Sequence, residues 1–486
     1  MISAHPDYPR LEFYLAGKWS SGEGRASEPV ICPATGESLG ELPHAAPADL
    51  RIALDAARQA DETWRHTPAV QRSALLRRAA DIIREESETL AGLIALELGK
   101  PIVEARKETT TAAEMFEWAA EEGRRAYGRV IPSRSEQTQL LALREPLGPV
   151  AAFAGWNAPS ITPARKIAGA LAAGCPVIIK PAEASPATAL FLARALDRAG
   201  VPEGVLSMVF GDPATIARTL LSAPEIRMVT FTGSVPVGKD LAAQAAATMK
   251  RTVFELGGHA PVLVFPDVDV EAVARAGART KFRNSGQICT SPTRFLVHRE
   301  VHDRFVDAFT AEAARIRVGD PLDESTEMGP LQNPRRLDAI RELVEDAVAA
   351  GAELRSGGDR PSGLSDKGWY FEPTVLTRVT KDCRAANEEP FGPLALVSAF
   401  DTTEEALAEA NRLPLGLASY VFSNDLRVVD HVVPRIRAGS VIVNRWVVSL
   451  PETPFGGVLD SGIGTEGGVE GLQAFQQVKF VSRSAG

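Results

Sequence analysis

The sequence predicts two α/β units, each a doubly wound open parallel sheet with helices on both faces. Three observations carry this. Apolar strand-like runs alternate with helical stretches over residues 149–256. A second alternation begins after Gly258, and strand-like pieces at 129–145 and 475–482 belong to neither block. A chain of 486 residues suffices for two or three domains.

Residues 47–125 read as helices. Pro47 suits a helix start, and Leu50, Ile52, Ala53, Leu54, Ala56 and Ala57 supply an apolar face behind it. Residues 70–98 continue at helical spacing with many charges between. From Pro149 the pattern changes. Residues 150–153 form a short apolar run ending near Gly155, and 161–173 are helical. Residues 176–180 form a strand ending on Lys180, 187–199 a helix, and 205–210 a strand closing at Gly211. Residues 226–231 form a strand followed by Gly233 and a helix from Val237. In the second block, 260–265 is a strand, 270–283 a helix and 294–298 a strand. Later strands cover 394–400, 419–422 and 440–444, and the boundary between the units falls at 256–258. Residues 129–133 and 138–145 form a hairpin-like pair, and 475–482 is another strand. Exposed strand edges of this kind invite pairing.

Hydrophobic residues make up 45% and charged residues 24% of the chain, ordinary for a soluble protein with a sizeable core. A net charge of -9 argues against nonspecific nucleic-acid binding. Cys32, Cys175, Cys289 and Cys383 are far apart, and the seven histidines are scattered. Neither a disulfide scaffold nor a metal site is expected, and a reducing cytoplasm is. Residues 1–7 lack a basic stretch followed by an apolar one, and no apolar run reaches the roughly 18 residues of a membrane span.

Four segments carry chemistry. Phe282-Arg283-Asn284-Ser285-Gly286-Gln287-Ile288-Cys289 sets a cysteine in a short polar turn between apolar runs. It is a candidate nucleophile, although a cysteine taken alone is more often a small buried hydrophobe. Phe254-Glu255-Leu256-Gly257-Gly258 ends an apolar strand on a carboxylate. Partial desolvation raises a carboxylate pKa toward a value suited to activating water; a capping or ion-paired glutamate fits as well. Gly155-Trp156-Asn157-Ala158-Pro159 offers an amide for a developing oxyanion, or an ordinary turn before proline. Phe231-Thr232-Gly233-Ser234 through Gly238 is a strand, a glycine turn and a helix start, which suits a pyrophosphate without being a Gly-x-Gly-x-x-Gly fingerprint.

In the order Asn157, Glu255, Cys289, these segments resemble the aldehyde dehydrogenase superfamily from about Phe13 to Val481. The resemblance implies a dinucleotide-binding domain over 1–123 and 147–256 and a catalytic domain over 257–470. It also implies a small bridging domain of strands from 124–146 and 471–486, through which subunits pair into homodimers or homotetramers. It assigns Cys289 as nucleophile, Glu255 as base and Asn157 as oxyanion donor. Attack gives a thiohemiacetal, loss of hydride a thioester, and Glu255-activated water the acid. Phe231, Gly233, Ser234 and Gly238 match the pyrophosphate segment, and Lys180 and Glu183 the ribose segment. Glu389 and Phe391 match the nicotinamide segment, with Trp156, Gly211 and Leu256 also on the cofactor side. A glutamate at 183 would repel a 2′-phosphate, which favours NAD over NADP.

Among succinic semialdehyde dehydrogenases, positions matching Arg165, Arg283 and Ser449 bind the substrate carboxylate, and an arginine fork suits that role. The same arginines equally suit structural ion pairs. Ala158 resembles instead the salicylaldehyde, vanillin and benzaldehyde enzymes, whose pocket admits a ring. Phe455 falls on the substrate side, and Trp446 is an aromatic wall or core. Gly155, His259, Leu459 and Thr465 stand where the family commonly has proline, lysine, lysine and arginine. A CoA-acylating dehydrogenase and a non-catalytic structural protein are the competing readings; Glu255 argues against the first, and the intact trio against the second.

Overall fold

The computed structural model describes residues 8–484; residues 1–7, which were read for a targeting signal, lie outside them. Its first sheet has eight strands. In order across the sheet they are Lys18–Ser20, Phe13–Leu15, Leu206–Met208, Val177–Lys180, Val150–Phe153, Met228–Gly233, Arg251–Leu256 and Gly462–Ile463. The five central strands run parallel. Their residues alternate between two cores, as a pleat requires. Val150, Ala152, Val177 and Ile179 face helices Ala69–Glu85, Ile102–Gly123, Ile161–Ala173 and Pro186–Ala199. Ala151, Phe153, Ile178 and Val229 face helices Pro47–Trp64, Pro213–Ser222 and Val235–Ala246. Burial on both faces explains why these strands read as unbroken apolar runs.

The second sheet has seven strands: Glu353–Ser356, Thr374–Thr377, Leu394–Phe400, Pro292–His298, Ala260–Val264, Ala418–Phe422 and Ser440–Val443. Val262, Val264, Phe295 and Val297 pack toward Val270–Phe282 and His302–Ala313, while Leu263 and Leu296 pack on the opposite face with Thr403–Ala410.

Both sheets are parallel-rich, as expected of open doubly wound sheets, with antiparallel strands added at their edges. Phe13–Leu15 and Lys18–Ser20 form an antiparallel hairpin at one edge, Gly462–Ile463 closes the other edge antiparallel, and Glu353–Ser356 does the same in the second sheet. Two- to four-residue edge strands have too little pattern to read locally, and their direction is set by the neighbour they pair with. The helix expected from Val237 starts at Val235, with Ser234 just ahead of it and a proline in its first turn. A three-stranded antiparallel sheet joins Arg129–Ile131, Thr138–Pro146 and the tail strand Gln476–Ser484.

Along the first sheet the chain moves outward from Val150–Phe153 through two strands, then returns to the other side of it at Met228–Gly233. Crevices at such reversals, beyond the carboxyl ends of the strands, are where doubly wound sheets bind ligands. The segments leaving those two ends are Ala154 to Asn157 and Gly233 to Ser234.

Candidate active site

The cysteine turn is held from three sides. Asn284 (φ 46°) and Ser285 (φ 55°) are left-handed, and Gly286 follows at φ 72°. A side chain at Gly286 would place its Cβ 2.1 Å from the Gly392 carbonyl, so only glycine fits. Ser285 Oγ donates to the Gly329 carbonyl at 2.7 Å, and Gln287 Oε1 accepts from the Gln332 N–H at 3.0 Å. The two left-handed non-glycine residues cost roughly 1 kcal/mol each. These bonds offset that cost and leave Cys289 partly exposed on a cavity of about 290 Å³.

Glu255 and Asn157 line the same cavity. Glu255 lies one residue from the end of its strand, beside Thr232, and pairs across to Gly462. It is buried, and its Oε1 has no hydrogen-bond partner. Burial, then the nearby Glu466 charge, raise its pKa to about 7. Desolvation, then the Glu255 charge, push the Cys289 thiol well above its usual range. The resting pair is therefore a thiol facing a carboxyl that titrates near neutrality.

The Asn157 carbonyl accepts from Lys100 Nζ at 3.3 Å and Asn284 Nδ2 at 3.1 Å. Thr162 Oγ1 donates to the Gly155 and Ala158 carbonyls, so the backbone of this turn is satisfied on both sides. The double glycine after Glu255 has a steric cause as well. A Cβ at Gly257 would lie 2.2 Å from Glu389 Oε2, and the Gly258 N–H donates to Glu389 Oε1 at 3.1 Å. Burial raises Glu389 to about 8. Phe391 meets Trp156 edge-on at 5.4 Å between ring centroids.

On the crevice side, the helix starting at Val235 has no side-chain cap, so its first N–H groups are free for an anion. A side chain at Gly233 would force the Phe231 ring to move, since its Cβ would lie 2.3 Å from it. Gly238 lets the helix approach Leu256. Lys180, at the end of its strand, pairs with Glu183. An anion seat at the switch point, with a carboxylate two strands away, fits a dinucleotide. Gly211 packs against His44 and Ala45, which accounts for that glycine by chain packing.

The substrate candidates separate. Arg165 Nη2 donates to Ser449 Oγ at 2.8 Å, and its guanidinium lies 4.9 Å from the Phe455 ring centroid. Arg165 Nε is buried without a partner. Ala158, Ser449, Phe455 and Trp446 line the cavity with it. Trp446 also packs on Tyr420 and Phe422, so it is both wall and core. Arg283 stands at the rim, over half exposed and 3.8 Å from Glu104.

Several buried charges around the cavity escape sequence reasoning. Lys166 is fully buried, paired with Glu466 and bonded to Thr230 Oγ1 at 3.1 Å. Lys281, lowered to about 7 by burial, donates to Ser291 Oγ at 3.2 Å.

Cys289, Glu255 and Asn157 thus share one cavity beside the strand ends of both sheets. The chain matches the aldehyde dehydrogenase family over residues 19–481 and belongs to that family. It is 44% identical to a 4-(hydroxymethyl)benzenesulfonate dehydrogenase of Comamonas testosteroni over 97% of both chains. It is 38% identical to a glutarate-semialdehyde dehydrogenase of Pseudomonas aeruginosa, again over 97% of both. A crystal structure of succinate-semialdehyde dehydrogenase from Burkholderia pseudomallei superposes with a TM-score of 0.96 at 40% identity, covering 99% of each chain. The chain is an aldehyde-oxidising enzyme, and the acceptor its family uses is NAD(P).

Proposed function

We propose that the preferred aldehyde carries an anionic group at its far end, with succinic semialdehyde and related ω-oxo acids as the leading class. The observation that carries this is Arg165: a guanidinium half satisfied by Ser449, with an unpartnered buried Nε, on the cavity that holds Cys289. A buried unpaired donor costs stability unless a ligand completes it. A benzaldehyde bearing a sulfonate or carboxylate is the second reading; the small Ala158 and the Trp446 wall favour it, and it shares the anion.

In this reading the Cys289 sulfur attacks the carbonyl, and the Asn157 amide with the Cys289 N–H receives the developing oxyanion. A nicotinamide dinucleotide, when bound, supplies the hydride acceptor that carries the thiohemiacetal on Cys289 to a thioester. Glu255 takes a proton from the water that releases the acid. Ser234 and the following helix would hold the pyrophosphate; Lys180 and Glu183 the adenosine ribose; Trp156, Glu389 and Phe391 the nicotinamide side.

Alanine at Arg165 is expected to raise KM for succinic semialdehyde about 10- to 100-fold, while butanal changes far less, because one charged bidentate contact is worth a few kcal/mol. Arg283→Ala should follow in the same direction with a smaller effect, since that side chain is half in solvent. NADH formation across a panel of charged and neutral aldehydes reads this out, and equal effects on both classes would sink the anion assignment.

NAD is the proposed acceptor over NADP. Glu183 already holds the Lys180 ammonium and opposes a second negative charge. Glu183→Ser should shift the ratio of efficiencies toward NADP by about tenfold or more, as like-charge juxtaposition costs several kcal/mol. An unchanged ratio would refute this use of Glu183.

The domain limits proposed are 1–123 with 147–256, 257–470, and 124–146 with 471–486. A homodimer or homotetramer is supported by exposed Tyr127, Val130, Val478 and Phe480 on or beside the three-stranded sheet. Four free cysteines suit a cytoplasmic location.

A further inference from the structure

We propose that Lys100, braced by Glu108, is a positioning residue for the oxyanion pocket, acting through the backbone of Asn157. This rests on the reading of Asn157 as oxyanion donor. Lys100 and Glu108 are both buried and form an ion pair. Lys100 Nζ also donates to the Asn157 carbonyl at 3.3 Å, and Glu108 Oε1 accepts from both the N–H and the Oγ of Ser160 at 3.0 Å. One ion pair thus grips residues 157 and 160 and closes a ring around the turn between them. The Asn157 carbonyl takes its second bond from Asn284, which belongs to the cysteine turn. The peptide plane that sets the direction of the Asn157 side chain is therefore fixed by two independent donors.

The same segment reaches the cysteine turn by another route. Gly99 lies against Gly329, where a Cβ would come within 1.8 Å of the Gly99 carbonyl. The Gly329 carbonyl accepts from Ser285 Oγ. Three residues upstream of Lys100, buried Glu97 accepts from the N–H groups of Ala187 and Thr188 at the start of helix Pro186–Ala199. The stretch from Glu97 to Lys100 touches the oxyanion turn and a helix of the first sheet, and reaches the cysteine turn through Gly329. A buried ammonium with a carboxylate partner is a costly way to hold one carbonyl, and breaking only one partner would leave an orphan charge.

The test therefore neutralises both members. In K100M/E108Q the introduced amide keeps an oxygen for Ser160, and no unpaired buried charge is left. The double variant should lower kcat about 10- to 100-fold, the scale of a displaced catalytic group, with KM moving less than about threefold. Alkylation of Cys289 by iodoacetamide needs no oxyanion, and its rate should stay within about twofold, which a general collapse of the site would not allow. On an N157A background the same pair should add no further loss, because its effect passes through Asn157. An unchanged kcat, or a full multiplicative loss on that background, overturns the proposal while leaving Asn157 as oxyanion donor. Full activity of N157A alone overturns the oxyanion reading itself.

Discussion

Alanine at Cys289 is expected to reduce aldehyde oxidation by about 10⁴-fold or more, because no other nucleophile can form the covalent adduct. The other three cysteines are buried away from the cavity. The fold should survive, since alanine keeps the Cβ and removes a thiol whose desolvated surroundings already disfavour its ionised form. NADH formation with the purified variant, alongside a thermal melt, checks both parts. Turnover near the parent rate in a folded Cys289→Ala protein would refute the covalent mechanism.

Glutamine at Glu255 is the second large effect. The variant should still form the thioester, so it should release about one NADH per site quickly and then turn over some 10²- to 10⁴-fold more slowly, as expected when a general base is lost. The pH profile carries an independent signature. The working form of the base is the carboxylate, so the parent rate should climb as pH rises through about 7, where Glu255 titrates. The inflection should vanish in Glu255→Gln. Arg165 lowers the Glu255 pKa from close by, so Arg165→Ala should move the parent inflection upward even with a neutral aldehyde. Stability follows the same group. A folded pKa of about 7 against an ordinary 4.5 means the folded state holds the extra proton between those values. Stability therefore falls as pH rises from about 4.5 to about 7 and stays lower above. Glutamine avoids this, so above pH 7 the variant should be more stable, by roughly 3 kcal/mol from the linkage relation. A steady-state rate without a burst, or a variant less stable than the parent at pH 8, would contradict the assignment.

The parts of the site that were legible in the sequence are those whose chemistry is local. Gly286 and Gly257 stand where a Cβ collides with a carbonyl or a carboxylate, Gly258 where it would be tightly crowded, and each is a glycine in the sequence. The strand–turn–helix around Gly233 is likewise a matter of neighbouring residues. Glu466, Lys166 and Lys100 were not legible. Their meaning is made by partners far along the chain, Lys166 with Glu466 and Lys100 with the Asn157 carbonyl. A lysine's burial cannot be read from its own neighbours. The short edge strands failed for the same reason: Phe13–Leu15 and Gly462–Ile463 are strands only because a sheet edge is there to receive them.

The strand carrying Glu255 is an uncovered edge until Gly462 and Ile463 arrive to pair with it. They follow about 200 residues later, roughly 10–40 s of translation at 5–20 residues per second. For that interval the nascent first sheet would leave an open hydrogen-bonding edge at Glu255. The strand that carries Glu255 is thus among the last parts of its sheet to be covered, and a chain stalled before residue 462 is expected to expose an edge prone to pairing.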